Sequence, residues 1–405
     1  MSYDITDWHL EQAVQVLENV DDRDSAAVLA HFRDRMIAIV KRKSSRRGIL
    51  LDAKEIVELT GILDTVDSDA VKRSVTRAIR NGAFDTEDKI EVLRKIESVV
   101  WNLRRYIRSL ELSLPLGNRG ALAYTYAYHV EELGEHNRVE HKLVVCSHYI
   151  AALVSKCLLG KVTIGLSATI GDNVIYGQES GIKLPFLSVP SSFPPEHTRI
   201  FMPTDTPNLA HKEQKRDTLT KVLRRIAQVT RKLAKGGIRS LHVVVSNEER
   251  QKLIALMEEE GVKAVSYGNG VTARVAALRF KDGEGDCLVG TSANFGEGVD
   301  LPRQIAPVIF GLRPAYPPFD DPRTQFEERR YGNNRWAIWN WRVMLSILQW
   351  RGRNIRSEDD LGVTIFISQQ FRRSVFAALP KTLQSSYKGD LTLDQCVKEA
   401  MELVG

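Results

Sequence analysis

Apolar positions along the first 140 residues recur at mixed three- and four-residue spacing, the period of a helix with one buried face. Trp8, Val14 and Leu17 follow this spacing behind the capping residues Asp4-Ile5-Thr6-Asp7. Similar runs cover 26–40, 52–63, 67–80 and 86–110, and proline is absent until Pro115. The pattern predicts an all-helical bundle of about five helices over 1–140. The cluster Lys41-Arg42-Lys43-Ser44-Ser45-Arg46-Arg47 reads as a solvated loop, with a nucleic-acid contact as the sharper alternative.

Near residue 140 the pattern changes. Short β-branched runs alternate with helical ones, and several runs are apolar throughout, as suits strands buried on both faces of a parallel sheet. The predicted strands are Leu143–Ser147, Val162–Ser167, Arg199–Met202, Leu241–Ser246, Ala264–Tyr267, Cys287–Gly290, Pro307–Gly311 and Val363–Ile367. Helices are predicted over Thr218–Leu233, Glu248–Glu260 and Asn340–Leu348, with Gly236-Gly237 and 282–286 as loops. This alternation predicts an α/β layered domain. In such sheets ligands sit at the carboxyl ends of the strands, which is where the unusual sequences fall.

Composition adds limits. The chain has 405 residues with 43% hydrophobic and 27% charged content, ordinary for a soluble globular protein of two or three domains. No stretch approaches the roughly 18 apolar residues of a membrane span, and Met1-Ser2-Tyr3-Asp4 lacks the features of a secretory signal. The default expectation is a cytoplasmic protein without a membrane partner. Cys146, Cys157, Cys287 and Cys396 are far apart, so no zinc site, disulfide framework or iron–sulfur cluster is expected. His129, His136, His141 and His148 fit no compact ligand motif, and no metal site is assigned. The net charge of +6 is modest, but its distribution is not. Nine Lys/Arg face two acids between Lys212 and Lys235, and eight Arg face two Glu between Arg323 and Arg356. Local basic stripes of this kind are the footprint of a nucleic-acid partner.

Three stretches carry candidate chemistry. Gly165-Leu166-Ser167-Ala168-Thr169 is a small hydroxyl-bearing loop at a strand end, able to couple a nucleotide site to a neighbouring domain. Gly290-Thr291-Ser292-Ala293-Asn294-Phe295-Gly296-Glu297-Gly298-Val299-Asp300-Leu301-Pro302 follows the strand at Cys287. Its small residues let backbone N–H groups approach a phosphate chain, and Asp300 can accept from a ribose hydroxyl. The plainer reading is a glycine-rich turn with Asp300 as a helix cap. In Gln349-Trp350-Arg351-Gly352-Arg353-Asn354-Ile355-Arg356, Arg353 and Arg356 share a face if the helix continues. Two guanidiniums there suit the charge growing on a transferring γ-phosphoryl group, and Gln349 can orient water or sense the phosphate. A solvated basic helix is the plainer reading. Four of the six tryptophans lie between Trp336 and Trp350. Core packing is their ordinary use, and base stacking beside Arg335 and Arg342 the alternative.

Taken in order, these stretches resemble the third to sixth motifs of the C-terminal half of XPD/DinG-like superfamily-two DNA helicases. Gly165–Thr169 resembles the third motif, and Leu241-His242-Val243-Val244-Val245-Ser246-Asn247 lies where the fourth belongs. Phe295, Glu297, Gly298, Asp300 and Pro302 fill the pattern of the fifth, and Gly311–Pro322 is similar to the proline-rich stretch that follows it. Gln349–Arg356, continued by Ser357–Gly362, resembles the sixth, with Trp350-Arg351 a departure where the family has small or apolar residues. The likeness covers roughly 140–380. It implies a RecA-like parallel-sheet second motor domain over 183–405, a remnant of the first motor domain over 141–182, and an arch-like helical region over 1–140.

The resemblance also implies roles. Gln349, Arg353 and Arg356 would meet the γ-phosphate. Gly296, Glu297, Gly298 and Asp300 would hold the nucleotide. Thr291, Ser292 and Ser246 would touch the nucleic-acid backbone, and Ser167, Ala168 and Thr169 would couple hydrolysis to domain movement. Yet the sequence holds no G-x-x-x-x-G-K-[ST] loop and no Asp-Glu magnesium motif. The expected cofactor, ATP with Mg, would therefore be shared with a partner chain carrying both, so that little or no ATPase is expected of this chain alone. Single-stranded nucleic acid, DNA rather than RNA, is the other expected partner. The remaining alternative is a degenerate helicase kept as an ATP-independent single-strand-binding or scaffold subunit.

Overall fold

Residues 2–42, 47–82, 92, 103–114, 125–133, 139–148, 154, 160, 162–167, 169–182, 185–187, 189, 193–210, 217–295, 301, 305–355 and 357–405 are described by the structure, a computed structural model. The chain divides into two compact units: Met1–Thr163 with Gln178–Ile182 and Pro317–Arg335, and Ile164–Gly177 with Lys183–Tyr316 and Trp336–Gly405.

The first unit holds β1 (Ser2–Thr6), α1 (Asp7–Asn19), α2 (Arg23–Arg42), β2 (Ile49–Leu50), α3 (Ala53–Asp64), α4 (Ser68–Arg80), α5 (Leu103–Glu111), β3 (Thr125–Leu133) and β4 (Val139–Ser147). The helices start where side chains satisfy their orphan N–H groups. Thr6 accepts from His9 N at 3.1 Å, and Asp52 and Glu55 form a capping box on α3. Leu10, Leu17, Leu29, Phe32, Leu59 and Leu63 pool their apolar faces into one core.

The region is helical as expected, but not all-helical. A four-stranded antiparallel sheet, in the order β1-β4-β3-β2, shares its core. Tyr3 and Ala127 both lie opposite Val145. Along β3, Thr125, Ala127 and His129 are buried while Tyr126, Tyr128 and Val130 are half-buried. That is a two-residue period, which the three- and four-residue matches of the flanking segments obscured. The helix Pro322–Tyr331 belongs to this unit and stacks Phe326 on Tyr126, ring centroids 5.1 Å apart.

The second unit is built on β5 (Thr198–Phe201), α6 (Thr218–Lys235), β6 (Ser240–Val244), α7 (Asn247–Glu259), β7 (Ala264–Val265), α8 (Ala273–Lys281), β8 (Cys287–Thr291), β9 (Val308–Gly311), α9 (Arg335–Arg351), β10 (Gly362–Phe366), β11 (Tyr387–Lys388) and α10 (Leu393–Val404). Its strands form one seven-stranded sheet in the order β11-β5-β10-β9-β6-β8-β7. Each pairing is parallel; Leu241 of β6, for example, lies between Leu288 and Ile309.

β6, β8, β9 and β10 are buried at every residue, which explains why they read as unbroken apolar runs. α6, α7 and α10 pack on one face through Leu223, Leu253 and Val397, and α8 and α9 on the other through Phe280 and Ile347. This is the doubly covered α/β sheet expected of a RecA-like domain. The strand expected at Val162–Ser167 does not pair: its described residues form no ladder, and Val162, Ile164 and Leu166 are 83%, 82% and 94% exposed.

Candidate functional site

Four strands of the second unit, β6 to β9, release their chains at the same edge of the sheet. There a hydrogen-bond network joins the loops. Ser246 caps α7, accepting from Glu249 N at 3.2 Å. The Glu249 carboxylate accepts from Val245 N at 2.8 Å, from Ser246 N at 3.0 Å and from Arg313 Nε at 2.7 Å. It is a buried carboxylate that accepts from two backbone donors and a guanidinium.

The loop after β7 joins through Tyr267. Its hydroxyl donates to Asn247 Oδ1 at 3.2 Å, lies 3.0 Å from Thr291 Oγ1 and accepts from Thr291 N at 3.3 Å. Asn294 Nδ2 donates to Thr291 Oγ1 at 3.2 Å. Arg250 covers the tyrosine ring at 4.3 Å and donates to Ser266 Oγ at 3.0 Å. Ser292 Oγ lies 2.6 Å from Ser346 Oγ of α9.

The structure thus gathers Ser246, Thr291 and Ser292 at one edge, with different availabilities. Ser246 and Ser292 are half-buried and reach the surface. Thr291 is buried, and its hydroxyl is engaged by Tyr267 and Asn294, so it braces the loop.

Packing alone already requires Gly290. A Cβ there would overlap the ring of Phe295. Gly290→Ala is expected to cost about 1–3 kcal/mol as an overpacked core, read as a lower urea midpoint at constant slope. Phe295→Leu in the same chain should recover part of the loss. A neutral Gly290→Ala would mean that the ring does not pack there. Gly296, Glu297, Gly298 and Asp300 lie outside the described residues.

The second group of candidates lies where α9 ends. The helix stops at Arg351 rather than continuing, so Arg353 sits in the following turn with its N–H on Trp350 O at 3.3 Å. The shared helical face for Arg353 and Arg356 is conditional on the helix continuing, and residues 352–355 are not helical. Arg356 itself lies outside the described residues. Gln349, in the last helical turn, and Arg353 are both half-buried.

The turn is anchored on three sides. Trp350 is buried and meets Phe366 edge-on at 5.9 Å. Arg351 donates to Thr198 Oγ1, and burial pushes its guanidinium down to about 10, leaving it charged at neutral pH. Asn354 Nδ2 donates to Pro307 O at 2.9 Å, at the foot of β9. Trp350 and Arg351, the departure noted in the sequence, therefore anchor the loop that carries Arg353 together with Asn354.

Thr169 N donates to Ser167 Oγ at 3.2 Å, and Ala168 lies outside the described residues. Just beyond, Trp341 of α9 donates through Nε1 to Ile170 O at 2.9 Å. Trp339, Trp341 and Trp350 are core residues, while Trp336 is 42% exposed.

Sequence reading missed Glu249, Tyr267 and the ion pair of Arg313. Ser246-x-x-Glu249 is a capping-box spacing and was legible. Nothing in the sequence marks Tyr267 as a bridge between loops. Among the described residues no group of three or more His, Cys, Asp or Glu could hold a metal ion, and no helix is long and apolar enough to cross a membrane.

Residues 217–386 match the family described as helicase C-terminal domain. Among solved structures, the chain is similar to one described as an XPD helicase, at 14% identity and TM-score 0.54, covering 96% of this chain and 65% of that one. It is also similar to Xpd4 of S. tokodaii, at 15% identity and TM-score 0.55, covering 96% and 72% respectively. The chain thus spans about two thirds of the length of these proteins, and at such identities the likeness is one of fold. No curated protein matches the chain. Residues 217–386 thus match a helicase C-terminal domain, and the chain shares its fold with these XPD helicase structures.

Proposed function

We propose that this chain is the second motor half of an ATP-dependent DNA helicase and works with a first motor domain that lies outside these 405 residues. Single-stranded DNA crosses the strand ends at Ser246 and Ser292. Gln349, Arg353 and Arg356 are offered to the γ-phosphate of ATP. The phosphate loop and magnesium ligands belong to the first motor domain, since this sequence contains neither motif. Bound there, ATP with Mg supplies the phosphoryl group; this chain contributes the amide and guanidiniums that meet its charge. Glu297 and Asp300 assist in holding the nucleotide, and Ser167–Thr169 couples the two domains.

One observation carries the reading. Val162, Ile164 and Leu166 alternate with Thr163, Gly165 and Ser167, and the three apolar side chains stand in solvent at more than four-fifths exposure. An alternating apolar run of this kind is a strand without its sheet, and a parallel sheet from the first motor domain would cover it. That the loop which follows is tied to α9 through Trp341 supports its coupling role.

The test is reconstitution. Alone, the chain should show no magnesium-dependent ATP hydrolysis. Mixed with a polypeptide carrying the phosphate loop and Asp-Glu motif, it should form a complex that hydrolyses ATP, and Ile164→Asp should abolish that complex. Hydrolysis by the isolated chain, or a complex indifferent to Ile164→Asp, overturns the proposal. Single-strand binding insensitive to ATP in the mixture would instead favour an ATP-independent binding subunit.

A further inference from the structure

Arg313 follows β9 in the stretch between the fifth- and sixth-motif segments, where no chemical role was expected. Its Nε is held by the buried carboxylate of Glu249 at 2.7 Å. A guanidinium has five N–H donors in a rigid fork, so fixing the Nε edge fixes the direction of the rest. The side chain remains about one quarter exposed. It lines a crevice of about 10 Å³ together with Ser292, Ser346, Pro314, Val343 and Trp350, room for one water-sized atom.

Ser292 and Ser346 also line this crevice, and their hydroxyl oxygens are 2.6 Å apart. Whichever hydroxyl donates to the other, one O–H proton of the pair remains free to donate outward. The crevice therefore brings together a cation and a spare hydroxyl donor, and Pro314, Val343 and Trp350 keep its walls apolar. Low local polarity strengthens a bond from either group to an anion.

Glu249 does not by itself explain Arg313. It already accepts from two backbone N–H groups at the N-terminus of α7, where a carboxylate is favoured by the helix dipole. Ser292, one of the crevice's lining residues, belongs to the strand-end edge that also carries Ser246.

We infer that Arg313, Ser292 and Ser346 form a notch for one non-bridging oxygen of a nucleic-acid phosphodiester, with Glu249 as the positioning residue that aims the guanidinium. The notch is sequence-independent, because it reads only the backbone. It rests on the reading of this edge as the nucleic-acid surface, and deepens it by naming the group that is gripped.

The experiment is fluorescence anisotropy with a labelled oligothymidylate, from about 50 to 200 mM salt, on wild type, Arg313→Gln and Ser346→Ala. Arg313→Gln should weaken binding roughly tenfold, as loss of a charge-assisted bond does. It should also reduce the slope of log affinity against log salt by about 0.7, the value for one phosphate contact on a single strand. Ser346→Ala should weaken binding about threefold with the slope unchanged. It leaves the Arg313–Glu249 pair intact, so it decides the matter if Arg313→Gln fails to fold. Wild-type affinity and slope in both variants overturn the notch. A wild-type chain that does not bind the oligonucleotide overturns the nucleic-acid reading itself.

Discussion

Arg353→Ala should reduce ATP turnover of the reconstituted motor by roughly 10³- to 10⁵-fold, the range over which arginine fingers act, with single-strand binding unchanged. The size of the effect follows from how the residue is held. Arg353 stands in a turn whose neighbours are fixed: Trp350 in the core, Arg351 on Thr198, Asn354 on Pro307 O. A fixed backbone removes the loop's share of the cost of bringing the guanidinium to a phosphate where charge develops. Arg353→Lys retains the charge but not the fork and should recover only a minor part of the rate. Single-turnover hydrolysis separates this from nucleotide binding. A loss smaller than about tenfold would assign the finger role elsewhere.

How much of this was legible in the sequence differs by element. β6, β8, β9 and β10 announced themselves because burial on both faces leaves no polar alternation to confuse. β1 and β3 did not. Ser2–Thr6 is five residues long and ends in a helix cap, and β3 alternates Tyr, Ala, His and Val, whose half-buried face looks neither polar nor apolar. β7 is expected over Ala264–Tyr267 and pairs only at Ala264–Val265, whereas β11, at two residues, is set by its partner alone. Within the site, Ser246 and Ser292 could be placed from motif order. The burial of Thr291 could not, because it depends on Tyr267 reaching across from another loop. The departure at Trp350-Arg351 was visible as a departure, but its meaning required the contacts. Trp350 fills the space that Gly311 leaves open, and Arg351 finds a hydroxyl at the start of β5. A residue's partner across the sheet is a property of the fold, and the linear pattern does not record it.

Trp350→Ala is the substitution expected to cost the fold most, about 3–5 kcal/mol. The ring is 3% exposed and edge-on to Phe366 at 72°. It also lies so close to β9 that a Cβ on Gly311 would come within 2.9 Å of it. Truncation removes a large apolar group packed against β9 and β10, and the neighbouring strands cannot collapse to fill the space without breaking their ladder. Against a total stability of about 5–15 kcal/mol for a domain, such a loss would lower the urea midpoint sharply at unchanged slope. The ring and the glycine are also coupled. Gly311→Ala alone should be destabilising by overpacking, whereas Gly311→Ala combined with Trp350→Phe should cost less than the sum of the two single changes. A double-mutant cycle measures that difference, expected at about 0.5–3 kcal/mol for residues in contact. Strict additivity would show that Trp350 does not rest on Gly311. The turn bearing Arg353 would then owe its position to Arg351 and Asn354 alone.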